Sequence, residues 1–248
     1  MSQFFHVSRF TLHAFYKLYS FCIALPLFLL VTILTALVVI TAAFLGDANY
    51  IGYYAPKWWS RFTCFIFLLP VKTEGTEQIE PRQSYIFLAN HQGYFDIFLI
   101  YGYLGHNFKW MMKEYLRKIP FVGYACEKSK QIYVGDTRAS MQKTVIQAQE
   151  TLRGGMSMVI FPEGTRTYSG EMGPFKKGAF TLAGEIGLPI VPITINGSFH
   201  IFSRKAWSVT WGPLSMTIHA PITPEQRRGK PTRVLMQEVY DIINKDLK

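Results

Sequence analysis

Residues 21–45 carry no charged side chain. A charge-free run of that length suits a hydrocarbon environment. At about 1.5 Å per residue it reaches roughly 37 Å, enough to cross a hydrocarbon core of about 30 Å. A cleaved signal peptide fits poorly, because the apolar core is too long and no small-x-small site precedes Asp47. Before the run, Arg9, His13 and Lys17 recur every four residues, with Phe10, Ala14, Leu18 and Phe21 on a neighbouring face. That is the pattern of a helix lying on a surface. After the run, Phe62 to Val71 is apolar but too short to span alone. It follows Trp58, Trp59 and Arg61, residue types that collect at a headgroup boundary. Residues 1–70 are therefore expected to form N-terminal membrane-anchor helices, by spanning or by dipping into one leaflet, and residues 71–248 a separate folded domain.

The net charge of +10, from 26 basic and 16 acidic residues, admits nucleic acid, anionic lipid or an anionic substrate as partner. The adjoining apolar segment favours a membrane phospholipid surface. No zinc-ligand spacing, RNP-like string or basic heptad helix points to nucleic acid, and none is expected. Basic residues on both flanks of the run place the domain on the cytoplasmic side of a membrane, the cytoplasmic membrane being the expected site. Cys22, Cys64 and Cys126 form no CxxC pair, and each reads as a buried small hydrophobe in a reducing compartment.

From about residue 72 strands alternate with helices. Tyr85 to Ala89, Ile132 to Val134, Met158 to Phe161 and Pro189 to Ile195 read as strands. Tyr94 to Leu104, Ser140 to Arg153 and Ala179 to Ile186 read as helices, with Gly154-Gly155 and Gly187 as stops. Ser208 to Trp211 and Ser215 to His219 are expected to pair as a hairpin around Gly212-Pro213. Thr223-Pro-Glu opens a final helix. This alternation defines an α/β domain.

Two strings carry the chemistry. NHQGYFD, Asn90 to Asp96, puts a His in the loop after a strand and an Asp in the first turn of the next helix. Asp96 can then reach one ring nitrogen of His91 and leave the other facing a hydroxyl proton. Amides at the start of the Tyr94 helix are candidate oxyanion donors. FPEGTRT, Phe161 to Thr167, places Glu163, Gly164 and Arg166 in a tight turn, again at the carboxyl end of a strand, where open α/β sheets bind ligands. Arg166 can clamp a phosphate bidentately. Glu163 can accept from a glycerol hydroxyl or pair with Arg166. Phe175-Lys-Lys-Gly178 can add positive potential. A base, an orienting carboxylate and an anion clamp, with no Ser or Cys nucleophile, suit acyl transfer to a hydroxyl on a phosphate-bearing lipid. No metal site and no cofactor are expected.

NHxxxxD followed about seventy residues later by FPEGTR resembles the glycerolipid acyltransferase family typified by 1-acylglycerol-3-phosphate acyltransferase. KEYLRKIPFVG, Lys113 to Gly123, and VPITING, Val191 to Gly197, resemble two further family segments in the same order. The resemblance covers about residues 80–200. It implies an α/β fold with a mixed β-sheet flanked by helices behind an N-terminal membrane-anchoring helical segment. It implies His91 as general base, Asp96 as its partner, and Glu163 and Arg166 on the acceptor's glycerol phosphate. Lys113 and Gly164 join them as candidate substrate-binding residues. The co-substrate would be acyl-CoA or acyl-carrier protein, and the acceptor a lysophospholipid, 1-acylglycerol-3-phosphate first among them.

One segment departs from the family. Where the family reads Gly-x-Ile-Phe-Ile-x-Arg, this chain has Lys130-Gln-Ile-Tyr-Val-Gly-Asp136. Arg138 is the first candidate to replace the missing cation and Lys130 the second. The departure keeps open glycerol-3-phosphate or a lyso-aminolipid as acceptor. A lipid hydrolase and a non-catalytic lipid-binding membrane protein are the readings from other classes.

Overall fold

The computed structural model describes residues 2–46, 50–135, 137–152 and 155–248, with only the backbone described for 2–10 and 138–141. Asp136, Arg153 and Gly154, which the sequence reading uses, lie outside the described residues.

The N-terminal segment is α1 (Ser2–Tyr19), a π-helical turn (Ser20–Ala24) and α2 (Leu25–Phe44), followed by α3 (Ile51–Ile66). α3 folds back along α2. The hydroxyl of Tyr16 donates to Phe67 O and that of Tyr19 to Ile66 O, while Trp59 Nε1 donates to Thr32 Oγ1. A buried stripe of α2, Ala36, Val39 and Ala42, faces protein. Leu27, Leu30, Leu34, Leu37 and Phe44 are exposed at helical spacing. Cys22 is exposed as well, so only Cys64 is the buried small hydrophobe the sequence suggests; Cys126 is half-buried.

Seven strands make one sheet: β1 (Val71–Glu74), β2 (Ile86–Ala89), β3 (Phe108–Lys113), β4 (Ile132–Val134), β5 (Ser157–Ile160), β6 (Ile190–Asn196) and β7 (Leu214–Ile218). Their spatial order is β1-β7-β6-β2-β5-β3-β4. β6 and β7 pair antiparallel and every other neighbouring pair is parallel, so the sheet is mixed. The expected hairpin is not formed. β7 pairs with β6 and β1, while 208–211 runs as irregular chain with its Trp211 Nε1 donating to Leu68 O. β1 and β3 escape the sequence reading because lysines interrupt their apolar pattern. One of these, Lys109, is fully buried and donates to Ser129 O at 2.8 Å. Burial pushes its ammonium down to about 8.

Helices cover both faces. Phe87 and Ala89 of β2, Val159 and Ile193 pack under α3, α4 (Phe95–Tyr103) and their neighbours. Ile86, Leu88, Met158 and Ile160 pack under α6 (Arg138–Thr151), α7 (Lys177–Ile186) and α10 (Thr232–Lys245). Between β3 and β4 lies α5 (Val122–Lys128), and α8 (Ser198–Phe202) follows β6. Thr223 caps as expected, exchanging hydrogen bonds with Gln226 in a capping box. It opens only the short α9 (Pro224–Arg227), and the long final helix starts afresh at Thr232.

β2 and β5 are adjacent and parallel. The chain leaves β2 into α4 on one face and leaves β5 toward α7 on the other. Diverging exits from neighbouring strands make a topological switch point at their carboxyl ends, the place where open α/β sheets bind ligands. Both signature strings begin there.

Candidate active site

His91 sits in the loop between β2 and α4, with Asp96 in the first turn of α4. Asp96 Oδ2 lies 2.7 Å from His91 Nδ1. The same oxygen accepts the amides of Gln92 and Gly93 at 2.7 and 2.9 Å. Asp96 is fully buried, with all three contacts gathered on Oδ2 and none on Oδ1. The contact assigns the proton of a neutral imidazole to Nδ1 and leaves Nε2 as the acceptor. Those amides are therefore not the oxyanion donors expected from sequence. The Tyr94 amide is also taken, donating to Phe202 O at 3.1 Å.

The imidazole lies flat on Phe161, ring centres 3.8 Å apart at 8°. Phe161 in turn stacks on Trp110 of β3 at 5.4 Å and 21°. The backbone of His91 is held on both sides by the second string. Its N–H donates to Glu163 Oε1 at 2.7 Å, and its C=O accepts from the Thr167 amide at 2.9 Å. Glu163 Oε2 accepts the Gly173 amide at 2.8 Å. Glu163 therefore faces inward and makes no ion pair with Arg166: the ion pairs among the described residues lie elsewhere, apart from His91–Asp96. Burial pushes its carboxyl up to about 7, against two amides that favour the ionised form.

The guanidinium of Arg166 rests 3.6 Å over the ring of Tyr94, at the N-terminus of α4. Gly164 adopts φ +71°, and a Cβ there would lie 2.8 Å from Lys176 Nζ, so glycine lets that lysine close on the turn. Asn90 closes the frame: its side chain exchanges two hydrogen bonds with the backbone of Ile195, at 2.9 and 2.7 Å, tying the first string to VPITING.

The structure brings together His91, Asp96, Glu163, Gly164 and Arg166. Lys113 lies half-buried at the carboxyl end of β3, on the same edge of the sheet. Arg138 begins α6, and its side chain is outside the described residues. Lys130 does not serve as the replacement cation: it precedes β4, at the amino edge of the parallel strands and opposite the His91 edge. Sequence reasoning passed over Phe161 and Thr167, though both stand inside a quoted string. It also missed Arg204, whose Nη1 donates to Thr165 Oγ1 at 2.9 Å, because no motif surrounds it.

The site is thus a carboxylate-held imidazole beside an arginine turn, at the carboxyl ends of two adjacent parallel strands of an α/β protein. A family model described as Acyltransferase matches residues 70–196, and the chain belongs to that family. Among its relatives, the chloroplast 1-acyl-sn-glycerol-3-phosphate acyltransferase LPAT1 of Arabidopsis thaliana is 31% identical over 174 residues, covering 68% of this chain and 48% of that one. The 1-acyl-sn-glycerol-3-phosphate acyltransferase of Saccharomyces cerevisiae is 30% identical over 206 residues, 77% of this chain and 66% of that one. The chain spans about half the length of the plant relatives it matches. The crystal structure of the 1-acyl-sn-glycerophosphate acyltransferase PlsC from Thermotoga maritima superposes with TM-score 0.79 at 24% identity over 96% of both chains, so the two share a fold.

Proposed function

We propose that this chain transfers a fatty acyl group from acyl-CoA or acyl-carrier protein to the free hydroxyl of 1-acylglycerol-3-phosphate, giving phosphatidic acid. The observation that carries the reading is the His91–Asp96 contact at 2.7 Å beside the Arg166 turn. Nε2 of His91 takes the hydroxyl proton as the acceptor oxygen attacks the thioester carbonyl. The new C–O bond forms, the C–S bond breaks, and the proton returns to the leaving thiolate. Asp96 stabilises the transient imidazolium. Arg166 holds the acceptor phosphate. The names of the relatives support this choice of acceptor.

The N-terminal residues 1–70 act as the membrane anchor and 71–248 as the catalytic domain, facing the cytoplasm. α2 touches the catalytic domain near both ends. Phe28 packs edge-on against Phe98 of α4, and Lys128 of α5 sits 5.2 Å from the Phe44 ring. A helix seated this way lies along the domain, and its exposed leucine stripe enters one leaflet rather than crossing the bilayer.

The test is purified protein given labelled acyl-CoA or acyl-carrier protein with 1-acylglycerol-3-phosphate, glycerol-3-phosphate, a lyso-aminolipid or no acceptor. The reading requires phosphatidic acid as the fastest product. Thioester loss without acceptor identifies a hydrolase, and no turnover with any pair identifies a binding protein.

A further inference from the structure

The turn that bears Arg166 gathers more positive charge than the two signature strings account for. Arg204, in the loop after α8, donates to Thr165 and lays its guanidinium 4.6 Å over the Tyr168 ring. Lys205 Nζ lies 5.5 Å over the same ring. The end of α8 also braces the platform under Arg166, since Tyr94 packs on Phe202 with ring centres 4.9 Å apart and its N–H donates to the Phe202 carbonyl. Arg166, Arg204, Lys205 and Lys176 thus converge on residues 164–168. Among the described residues none of them has a carboxylate within ion-pair distance. The one acid inside the turn, Glu163, points inward with both oxygens taken.

Like charges gathered without counter-charge repel one another, and a dianion relieves that repulsion. A phosphomonoester carries about −1.5 to −2 at pH 7 and three strong acceptor oxygens, more than one guanidinium fork can satisfy. Arg204 spends one of its five N–H donors on Thr165 and retains the rest. We propose that Arg204 is a specificity-determining residue for the phosphomonoester of the acceptor, working with Arg166 from a loop outside the signature strings. It supplies from the β6–β7 side of the sheet the second cation that the string Lys130-Gln-Ile-Tyr-Val-Gly-Asp136 lacks at its last position. The proposal rests on the acceptor being phosphate-bearing, as argued above. The same chemistry suits lipid headgroups, because the loop continues into Trp207, which is 85% exposed and has Lys17 of α1 5.2 Å from its ring.

The experiment compares wild type, Arg204→Gln, Arg204→Lys and Lys205→Gln in four measurements: KM for 1-acylglycerol-3-phosphate, KM for the donor, equilibrium binding of 1-acylglycerol-3-phosphate against 1-monoacylglycerol in neutral detergent, and co-sedimentation with vesicles of phosphatidylcholine with and without phosphatidylglycerol. A charged hydrogen bond at an exposed site is worth about tenfold. Arg204→Gln should raise KM for 1-acylglycerol-3-phosphate by about tenfold, more than it moves donor KM, and weaken that lipid's binding but not monoacylglycerol's. Arg204→Lys should recover part of the loss. Parallel loss of binding to phosphatidylglycerol vesicles would assign Arg204 to the membrane surface and overturn the proposal. An unchanged preference for the phosphate-bearing lipid, or an equal rise in donor KM, would overturn it too. If the wild type does not acylate 1-acylglycerol-3-phosphate, the functional reading fails, and the binding comparison still decides for or against Arg204. Thermal midpoints identify any variant that misfolds, and Thr165→Val, which removes the tether but keeps the charge, then takes its place: it should raise KM for 1-acylglycerol-3-phosphate, and an unchanged KM there would also overturn the proposal.

Discussion

The imidazole of His91 lies parallel to the Phe161 ring at 3.8 Å, with Asp96 2.7 Å from its Nδ1. One contact fixes the plane of the ring and the other its rotation within that plane. Phe161→Leu keeps most of the volume but gives the imidazole room to tilt. It should lower kcat by about tenfold with little change in either KM, since catalysis depends on orientation. Asp96→Asn should cost on the order of 10³ to 10⁴ in kcat by losing the partner of the imidazolium. His91→Ala should remove about 10² to 10⁴ in rate and, through the lost stack, about 1 kcal/mol of stability. Turnover and chemical denaturation on the three purified variants check all three. Near-normal rates in His91→Ala would reject the mechanism.

Arg166→Lys should raise KM for the phosphate-bearing acceptor by about tenfold and leave KM for the thioester donor little changed. Lysine keeps the charge but loses both the bidentate fork and the flat contact with Tyr94. Equal effects on both substrates would reduce Arg166 to a shaper of the turn.

Glu163 gives stability a pH dependence of definite sign. Its folded carboxyl is raised to about 7 by burial, and an unfolded one sits near about 4.3. Between those values the folded state holds the extra proton. This group's contribution is therefore fully present below about pH 4 and is lost as pH climbs through about 7. One pKa unit corresponds to about 1.4 kcal/mol, so the swing is a few kcal/mol. Urea midpoints at pH 5 and pH 8 should fall for the wild type relative to Glu163→Gln. Parallel lines for the two proteins would show that Glu163 titrates normally.

Gly93 is pressed against the segment after β6. A Cβ there would lie 2.4 Å from Ser198 O and 2.5 Å from Ser198 Oγ. Gly93→Ala should cost about 1–3 kcal/mol and most of the activity, because the Gly93 amide also holds Asp96. Gly184, inside α7, has open space around it. Gly184→Ala should instead add up to about 1 kcal/mol. Thermal melts of both variants check the contrast.

The antiparallel lie of α3 on α2 brings residues 66 and 67 back to the level of Tyr16 and Tyr19. Thiol labels introduced before residue 17 and after residue 71 should therefore react from the same face of sealed vesicles. Reaction from opposite faces would require α2 to cross the bilayer. Deleting residues 1–46 should release the protein from membranes or destabilise it, since the deletion uncovers Trp59 and Phe98.

The parts of the fold legible in the sequence are those whose side chains match one period. β2, β5 and β6 are apolar runs, α4 stands after β2, and α7 has its stop at Gly187. β3 was illegible because its lysine at 109 is buried on a helix-terminal carbonyl supplied by a residue twenty positions away. The hairpin failed because β7 finds its second partner in β1, far upstream in the chain. In the site, residue types announced His91, Asp96 and Arg166. The inward turn of Glu163 depends on where the His91 and Gly173 amides fall in space, which spacing along the chain does not encode.

β2 and β5 are neighbours in the sheet although their signature strings are about seventy residues apart. After α4, the chain between them, β3 through α6, is an excursion to one edge that returns to its starting point. Glu163 and Thr167 clasp His91 directly across that return, and the excursion's contribution is Trp110 of β3, which backs the Phe161 ring under the imidazole. β4 and α5, out at the sheet's far edge, make none of these contacts, so loop lengths there can vary with the clasp on His91 left in place.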